Sequence, residues 1–190
     1  MIRLLPAAGR AAVAWKNGGG VTREIAAWPP GAGMDDFVWR VSLAEVGADG
    51  PFSAFAEADR TLTVVEGAGM DLTVGGERRI LDTRLVPQDF PGDVPTDCRL
   101  LDGPVVNFNV MWRRGLEPAP AVAVVRGRVP FALRPGTAML VLALDAPAEV
   151  SGMHLEPYDA ALLTDGGTVL HAAGAAAVVR LPTPPPPADA

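Results

Sequence analysis

The sequence predicts an all-β fold of the sandwich or barrel type, and three observations support this. Many short segments alternate between apolar and polar residues with a period of two, as strands do. Turn signals such as "GADGPF", "LDGP", "RPGT" and "TDGG" recur at short intervals, and the 190 residues include 21 glycines and 19 prolines. No long stretch has the 3.6-residue period of an amphipathic helix. Short strands joined by Gly/Pro turns are typical of β-sandwiches and β-barrels.

The first well-defined strand is predicted at residues 37–46, "FVWRVSLAEV". Because successive side chains of a strand point to opposite faces, Arg40 and Ser42 share one face and Glu45 lies on the other. The stretch "SAFAEADR" that follows, residues 53–60, favours one short helical turn capped by Ser53.

A second strand and a hairpin are predicted next. Residues 60–67, "RTLTVVEG", alternate in polarity and end at a glycine turn. Residues 70–81, "MDLTVGGERRIL", read as a β-hairpin because Gly75 and Gly76 occupy a two-residue loop that requires positive φ angles.

The last strand of the first half, "VVNFNVMWRR", carries polar amides on one face. Asn107 and Asn109 alternate with apolar residues that form the opposite face. If the apolar face packs against the second half of the chain, the two amides point into the lumen of the first barrel. Buried amides need hydrogen-bond partners, which a ligand can supply.

The second half repeats the strand pattern with blander, Ala/Val-rich segments. These are "AVAVVRG", "AMLVLALD", "AEVSG", "DAALLTDGG" and "AAAVVRL". The change in character near "RRGLEPAPAV" predicts a domain boundary: residues 1–115 form the first barrel, which holds the ligand pocket, and residues 116–182 form a smaller second barrel. The tail "PTPPPPADA" lacks backbone donors for a sheet, so residues 183–190 are predicted to be disordered.

Composition excludes several classes of partner. A formal charge of −6 disfavours nucleic-acid binding, which needs a basic face. The longest apolar run, "AMLVLAL", is too short to cross a bilayer. The N-terminal stretch lacks the uninterrupted apolar core of a signal peptide, and the lone Cys98 allows no intramolecular disulfide. We therefore expect a cytoplasmic protein.

We expect neither a metal nor another cofactor. A cupin-type metal site needs several imidazoles close together. The chain has two histidines, His154 and His171, both in the second half and without H-x-H spacing. No nucleophile elbow G-x-S-x-G is present either, so no catalytic residue is assigned.

The segment "WKNGGGVTRE", residues 15–24, places three glycines among hydrogen-bonding side chains. It matches neither phosphate-loop fingerprint, G-x-x-x-x-G-K-[ST] or G-x-G-x-x-G. A flexible turn is one interpretation. The other is a loop at the mouth of a barrel, where glycine N–H groups, Lys16 and Arg23 hold a carboxylate.

Three long motifs in order resemble the HutD/Ves family. They are "WKNGGGVTREIAAWP", "FVWRVSLAEVGADGPFSAFAEADRTLTVVEGAG" and "FPGD…LLDGPVVNFNVMWRR". The resemblance covers residues 4–114 strongly and the second half by its strand pattern. It implies a bicupin, meaning two packed cupin-type β-barrels, without the usual metal histidines. It also implies an association with bacterial histidine utilisation, in a regulatory or sensing role.

The ligand that this resemblance implies is a small carboxylate metabolite such as urocanate, formiminoglutamate or formylglutamate. A pocket of cationic and amide side chains suits such molecules. The candidate ligand-binding residues are Trp15, Lys16, Asn17, Gly18, Gly19, Gly20, Arg23, Arg40, Ser42, Glu45 and Asn109.

Two other functions stay open. One is an enzyme that acts on the same metabolites, with Glu45, Glu66 or Lys16 as acid or base. The other is a protein-interaction scaffold in which the apolar second half forms a homodimer through an open barrel edge.

Overall fold

The structure, a computed structural model, describes residues 1–183, and it confirms the predicted all-β fold. These residues form strands without any helix. In chain order the strands are β1 (Ile2–Leu5), β2 (Ala12–Ala14), β3 (Gly20–Trp28), β4 (Trp39–Val46), β5 (Gly50–Pro51), β6 (Ala58–Glu66), β7 (Met70–Val74), β8 (Glu77–Leu81), β9 (Gln88–Pro91), β10 (Thr96–Leu100), β11 (Val105–Arg113), β12 (Ala121–Ala132), β13 (Thr137–Ala143), β14 (Ala148–Val150), β15 (Met153–Leu155), β16 (Ala160–Leu163) and β17 (Gly167–Pro182). Over the same residues, no helical segment has the length and apolarity needed to span a bilayer.

The chain divides into two compact units. Ala11–Arg114 form the first, called here the 11–114 unit. Met1–Arg10 join the chain from Gly115 onward in the second, called the C-terminal unit. The sequence-based boundary places residues 1–10 in the first barrel, and the structure corrects this. The apolar strand β1 pairs antiparallel with β16, from Ile2 opposite Leu163 to Leu5 opposite Ala160, so its backbone hydrogen bonds are made in the C-terminal unit.

The 11–114 unit contains two sheets. One has the strand order β2-β3-β4-β11-β6-β9 and the other β5-β10-β7-β8. Strands of both sheets contribute to one apolar core, made of Val46, Leu62, Val64, Met70, Leu72, Val74, Leu81, Phe90, Cys98 and Val105. Apolar and polar residues alternate along each strand, and the apolar face of each strand points into this core because burial of apolar area is favourable.

The hairpin prediction is confirmed, and the predicted helical turn is wrong. Gly75 and Gly76 have φ angles of +55° and +89° between β7 and β8. Residues 53–57 are irregular instead of helical. The N–H of Phe52 donates to the Thr96 carbonyl at 2.8 Å, and that of Phe55 to the Gly92 carbonyl at 2.8 Å. One local bond, from the Ala58 N–H to the Phe55 carbonyl at 3.2 Å, closes a turn at residues 56–57, and the long-range bonds hold the rest of the segment in a non-helical shape.

The C-terminal unit contains one seven-stranded sheet with the order β1-β16-β13-β17-β14-β15, and β12 also pairs with β17. The core of this unit is built from Val141, Ala143, Ala148, Val150, Leu155, Ala161, Leu163, Leu170, Ala172 and Ala176. Thr183 donates its N–H to the Gly136 carbonyl at 2.8 Å. The remainder of the predicted disordered tail, residues 184–190, lies outside the described residues.

Candidate functional site

The 11–114 unit holds a cavity of about 500 Å³ beside its six-stranded sheet. Its walls combine apolar and aromatic side chains with a few polar groups, the usual character of a small-molecule site. The lining residues are Val13, Ala14, Trp15, Lys16, Asn17, Thr22, Met34, Arg40, Ser42, Ala44, Pro51, Phe52, Ser53, Phe55, Arg60, Asn109 and Met111.

Strand register brings the polar groups of three strands to this cavity. Ser42 on β4 lies opposite Asn109 on the central strand β11. Met111, two residues on, lies opposite Arg40 on one side and opposite Arg60 of β6 on the other. Directly opposed residues of an antiparallel pair point to the same face, so these five side chains share one face of the sheet.

Arg60 is the most unusual residue of the cavity. Its side chain is buried, with a relative exposure of 7%. Its Nη2 donates to the Asn109 Oδ1 at 2.5 Å, whereas its Nε has no hydrogen-bond partner. Its guanidinium lies over the rings of Phe52 and Phe90, at 5.3 and 5.1 Å from their centroids. Within residues 1–183, no carboxylate lies within salt-bridge distance of it.

Burial lowers the pKa of Arg60 to about 10, because desolvation penalises the charged form. The guanidinium is still protonated at neutral pH. The cavity therefore presents a desolvated positive charge that phenyl rings and one amide oxygen stabilise and no counter-ion neutralises.

Two buried amides support this charge. Asn109 accepts from Arg60 through its Oδ1, and its Nδ2 donates to the Oδ1 of Asn107. Asn107 is 1% exposed and Asn109 is 4% exposed. The chain Arg60–Asn109–Asn107 fixes the amide orientation, because the Asn109 oxygen must face the arginine. The predicted inward orientation of Asn109 agrees with its position in the cavity wall.

Two further cations line the cavity. The Nε of Arg40 forms a 2.7 Å salt bridge with Oε2 of Glu24, and its Nη1 donates to Sδ of Met34 at 2.7 Å. Lys16 is exposed on the loop between β2 and β3. None of the lining residues is Asp, Glu or His. The wall of the cavity therefore carries positive formal charge, which favours an anionic occupant.

The triple-glycine segment forms the tight loop between β2 and β3. Gly18 has a φ of +72° and donates its N–H to the Trp15 carbonyl at 3.0 Å. The N–H of Gly19 donates to Oδ1 of Asn17 at 3.0 Å. The expectation that glycine N–H groups face the ligand is therefore wrong for these two, because the loop satisfies them internally.

Gly20 has a different role, because it allows a close approach. A Cβ at this position would lie 2.6 Å from the backbone oxygen of Glu45 and 3.1 Å from the ring of Trp15. That ring is held by a 2.8 Å hydrogen bond from Nε1 to Oγ1 of Thr22 and by an edge contact with Phe52, 5.7 Å between centroids. The glycine thus positions an aromatic wall of the cavity.

Comparison with known proteins identifies the family. The HutD family model matches residues 7–179. The chain belongs to the HutD family. An uncharacterized 21.2 kDa protein from the hutC 3′ region of Pseudomonas putida is 40% identical over 114 residues, 58% of each chain. Protein Ves of Cronobacter sakazakii is 39% identical over 101 residues, 53% of this chain and 54% of the relative. The aligned part thus spans little more than half the length of these curated relatives.

Solved structures confirm the HutD-family fold. HutD from Pseudomonas fluorescens SBW25 has a TM-score of 0.83 and 33% identity, with 96% of this chain and 98% of that chain covered. At the level of fold alone, a cupin 2 conserved barrel domain protein from Leptotrichia buccalis has a TM-score of 0.57 at 12% identity, with 94% and 99% covered. The predicted cupin-type all-β fold is therefore confirmed.

Within this HutD-family chain, the predicted site residues fall into three groups, of which the first is Gly18, Gly19 and Gly20, which form the β2–β3 loop and do not line the cavity. Trp15, Lys16, Asn17, Arg40, Ser42 and Asn109 line the cavity. Arg23 and Glu45 do not, because they lie on the opposite face of β3 and β4, where the Arg23 Nε and the Glu45 Oε1 form a 2.9 Å salt bridge. Both are partly exposed there, so the prediction that Arg23 faces the cavity is wrong.

Sequence reasoning left several lining residues out of the candidate set. For Arg60 the sequence does contain an indication: it shares its strand face with the apolar Leu62 and Val64, which is unusual for a charged residue. Phe52 and Phe55 come from an irregular segment, where no periodicity assigns a face. Over residues 1–183, no three His, Cys, Asp or Glu side chains are grouped so as to hold a metal ion.

Proposed function

We propose that this HutD-family cupin binds a small carboxylate metabolite of histidine degradation in the cavity of the 11–114 unit, and that it acts in the cytoplasm as a sensor or regulator. The observation that carries the proposal is the desolvated Arg60 guanidinium, whose Nε has no hydrogen-bond partner and which has no counter-ion among residues 1–183. A carboxylate matches a guanidinium, because its two oxygens can accept hydrogen bonds from the planar set of guanidinium N–H groups.

The rest of the cavity suits a flat, polar-ended molecule. Trp15 and Phe52 offer apolar surface for a planar group, and Ser42 and Asn109 offer hydrogen bonds. About 500 Å³ is enough space for a molecule of the size of urocanate or formylglutamate. The histidine-degradation part of the proposal rests on the family and on the hutC region of the Pseudomonas putida relative.

The test is binding of urocanate, formiminoglutamate and formylglutamate, by calorimetry and by thermal unfolding. Histidine is included as the upstream compound. A ligand at 100 times its dissociation constant is expected to add about 2.7 kcal/mol to the free energy of unfolding. Arg60→Met is expected to weaken binding by roughly 10- to 100-fold, the loss of a charged hydrogen bond.

Two controls make the result specific. Arg84→Met removes an exposed arginine of the same unit that does not line the cavity, and it is expected to leave affinity unchanged. Ligand-free Arg60→Met is expected to stay folded and to lose no more than about 1–3 kcal/mol of unfolding free energy, because the Asn109 Oδ1 loses its donor while the cost of a buried charge is removed. Equal affinity of Arg60→Met and wild type for the bound metabolite would refute the assignment.

An enzymatic role for the same cavity is favoured by one observation: Lys16 is exposed at its wall, and a lysine can serve as an acid or base. Chromatography of the incubated metabolites decides between the two functions. Product that forms with wild type and not with Lys16→Met would establish turnover.

A further inference from the structure

The C-terminal unit has an open cavity of about 430 Å³ that is separate from the site described above. Among its lining residues, Ala148 and Ala172 belong to the core of the unit, so the backbone and not the side chains of these two residues borders the cavity. The outer face of the same strands carries four ionisable lining residues: Arg128, Glu149, His154 and His171. Both histidines of the chain therefore meet at one place, although they lie on different strands.

The four side chains form one row across four strands. Arg128 of β12 lies opposite His171 of β17. His171 lies opposite Glu149 of β14, and Glu149 lies opposite His154 of β15. Directly opposed residues share a face, so the row presents a guanidinium, an imidazole, a carboxylate and an imidazole in that order.

A β-bulge lies next to Arg128 and His171, two members of this row. The register of β12 against β17 shifts between Arg126 and Gly127, where β17 has extra residues. The bulge is held by hydrogen bonds from the Ala173 N–H to the Pro147 carbonyl at 3.1 Å and from the Ala175 N–H to Oδ1 of Asp145 at 2.6 Å. Bulges re-aim neighbouring side chains and are frequent next to sites.

The two permanent charges of the row do not neutralise each other. Within the described residues, neither Arg128 nor Glu149 has a salt bridge. The Nε2 of His154 lies 3.1 Å from the Oε1 of Glu156. Arg128 and Glu149 stand on strands two apart, roughly 10 Å between backbones. A positive and a negative group thus flank His171 on the outer face of the sheet.

We propose that this cavity binds a small zwitterionic amino acid. The carboxylate of the ligand pairs with the Arg128 guanidinium, its ammonium group pairs with the Glu149 carboxylate, and it lies over His171. A ligand with only a negative charge would face Glu149 unfavourably, and one with only a positive charge would face Arg128 unfavourably. The opposite charges of an amino acid satisfy both ends of the site.

The experiment is NMR of the histidine side chains in the full chain, because both signals report on this cavity. The probes are L-alanine, which carries both charges, and propionate and ethylammonium, which each carry one. At about pH 7.5, L-alanine is expected to shift the His171 signal in a saturable way, with a dissociation constant of about 1 mM. Propionate and ethylammonium are expected to bind at least roughly 10-fold more weakly.

Matched variants assign the two charged contacts. Arg128→Gln and Glu149→Gln are each expected to weaken L-alanine binding by roughly 10-fold or more, because each leaves one ligand charge unpaired. Arg134→Gln and Glu117→Gln, which alter exposed residues of the same unit away from the cavity, are expected to leave it unchanged. The absence of a saturable shift with L-alanine, or equal affinity for propionate, would overturn the proposal. Arg60→Met is expected to have no effect here.

Discussion

Burial is the main cause of pKa shifts in two side chains of the 11–114 unit, and the two shifts have opposite directions. Desolvation lowers the pKa of Arg60 and raises the pKa of Cys98 to about 12, with the carboxylates of Asp49 and Asp71 adding to the second shift. In each case the charged form is the one disfavoured. Arg60 stays charged at neutral pH and is available to an anion, whereas the Cys98 thiol stays neutral and unreactive.

The shifted pKa of Cys98 predicts a loss of stability at alkaline pH. The folded-state pKa is above the unfolded value of about 9, so the unfolded state releases this proton first as the pH rises. The contribution of Cys98 is therefore complete below about pH 9 and decreases above it, by up to about 1.4 kcal/mol per pH unit. Urea unfolding of wild type and Cys98→Ala from pH 8 to 10.5 measures this difference. Parallel pH curves for the two proteins would contradict it.

Side-chain placement was predictable where a residue lies inside a regular strand. The alternation in β4 and β11 correctly grouped Arg40 with Ser42 and Asn107 with Asn109. It also put Glu45 on the other face, yet the family motif kept Glu45 among the candidates, and the loop interpretation of residues 15–24 placed Arg23 at the ligand. The face of Arg23 follows from its pairing with Leu43, and sequence alone does not give strand pairings.

At the scale of elements, regular strands and tight turns were predictable, and irregular segments were not. The Gly75–Gly76 hairpin follows from local turn chemistry, which needs no tertiary information. Residues 53–57 take their shape from bonds to distant strands, so local propensity gave the wrong answer. No strand was predicted at residues 20–28, where β3 lies, and its register against β4 shifts between Glu24 and Ala26.

The loop that leads into β3 gives a direct test of close packing. Gly20→Ala is expected to lower the free energy of unfolding by about 1–3 kcal/mol, because the added methyl group meets the Glu45 backbone and displaces the Trp15 ring. Gly47→Ala is the matched control: its Cβ meets no atom within 4 Å, and we expect a neutral or slightly stabilising effect of about 0.5 kcal/mol. Urea unfolding compares them, and an equal effect of both substitutions would contradict the role of Gly20.

At the scale of the whole molecule, the unexpected feature is the membership of the first ten residues in the C-terminal unit. The Arg10 side chain fastens this segment, with Nη1 donating to the Tyr158 carbonyl at 2.7 Å and Nη2 to the Leu5 carbonyl at 2.5 Å. The N–H of Ala7 donates to Oδ1 of Asp159 at 2.6 Å. Sequence patterns predict strands well but do not say which distant strand a short terminal one joins.

Arg10→Met is therefore expected to loosen β1 and β16 selectively. Loss of two charged hydrogen bonds should speed amide hydrogen exchange in residues 2–5 and 160–163 by roughly 10-fold or more. Exchange in β4 and β11 is expected to stay as in the wild type. Arg3→Met, at an exposed position of the same segment, is the control and should change neither region. Uniform acceleration over both units would argue against a local role for Arg10.

The pairing of β1 with β16 also fixes an order of events during protein synthesis. Residues 11–114 are contiguous, so the unit that holds the cavity can fold as soon as they leave the ribosome. Strand β1 can pair only after β16 has been synthesised, because Leu5 lies opposite Ala160. At translation rates of roughly 5–20 residues per second, that wait lasts about ten seconds or more. Strand β1 is therefore synthesised well before its partner β16, and the nascent chain carries β1 without that partner in the meantime.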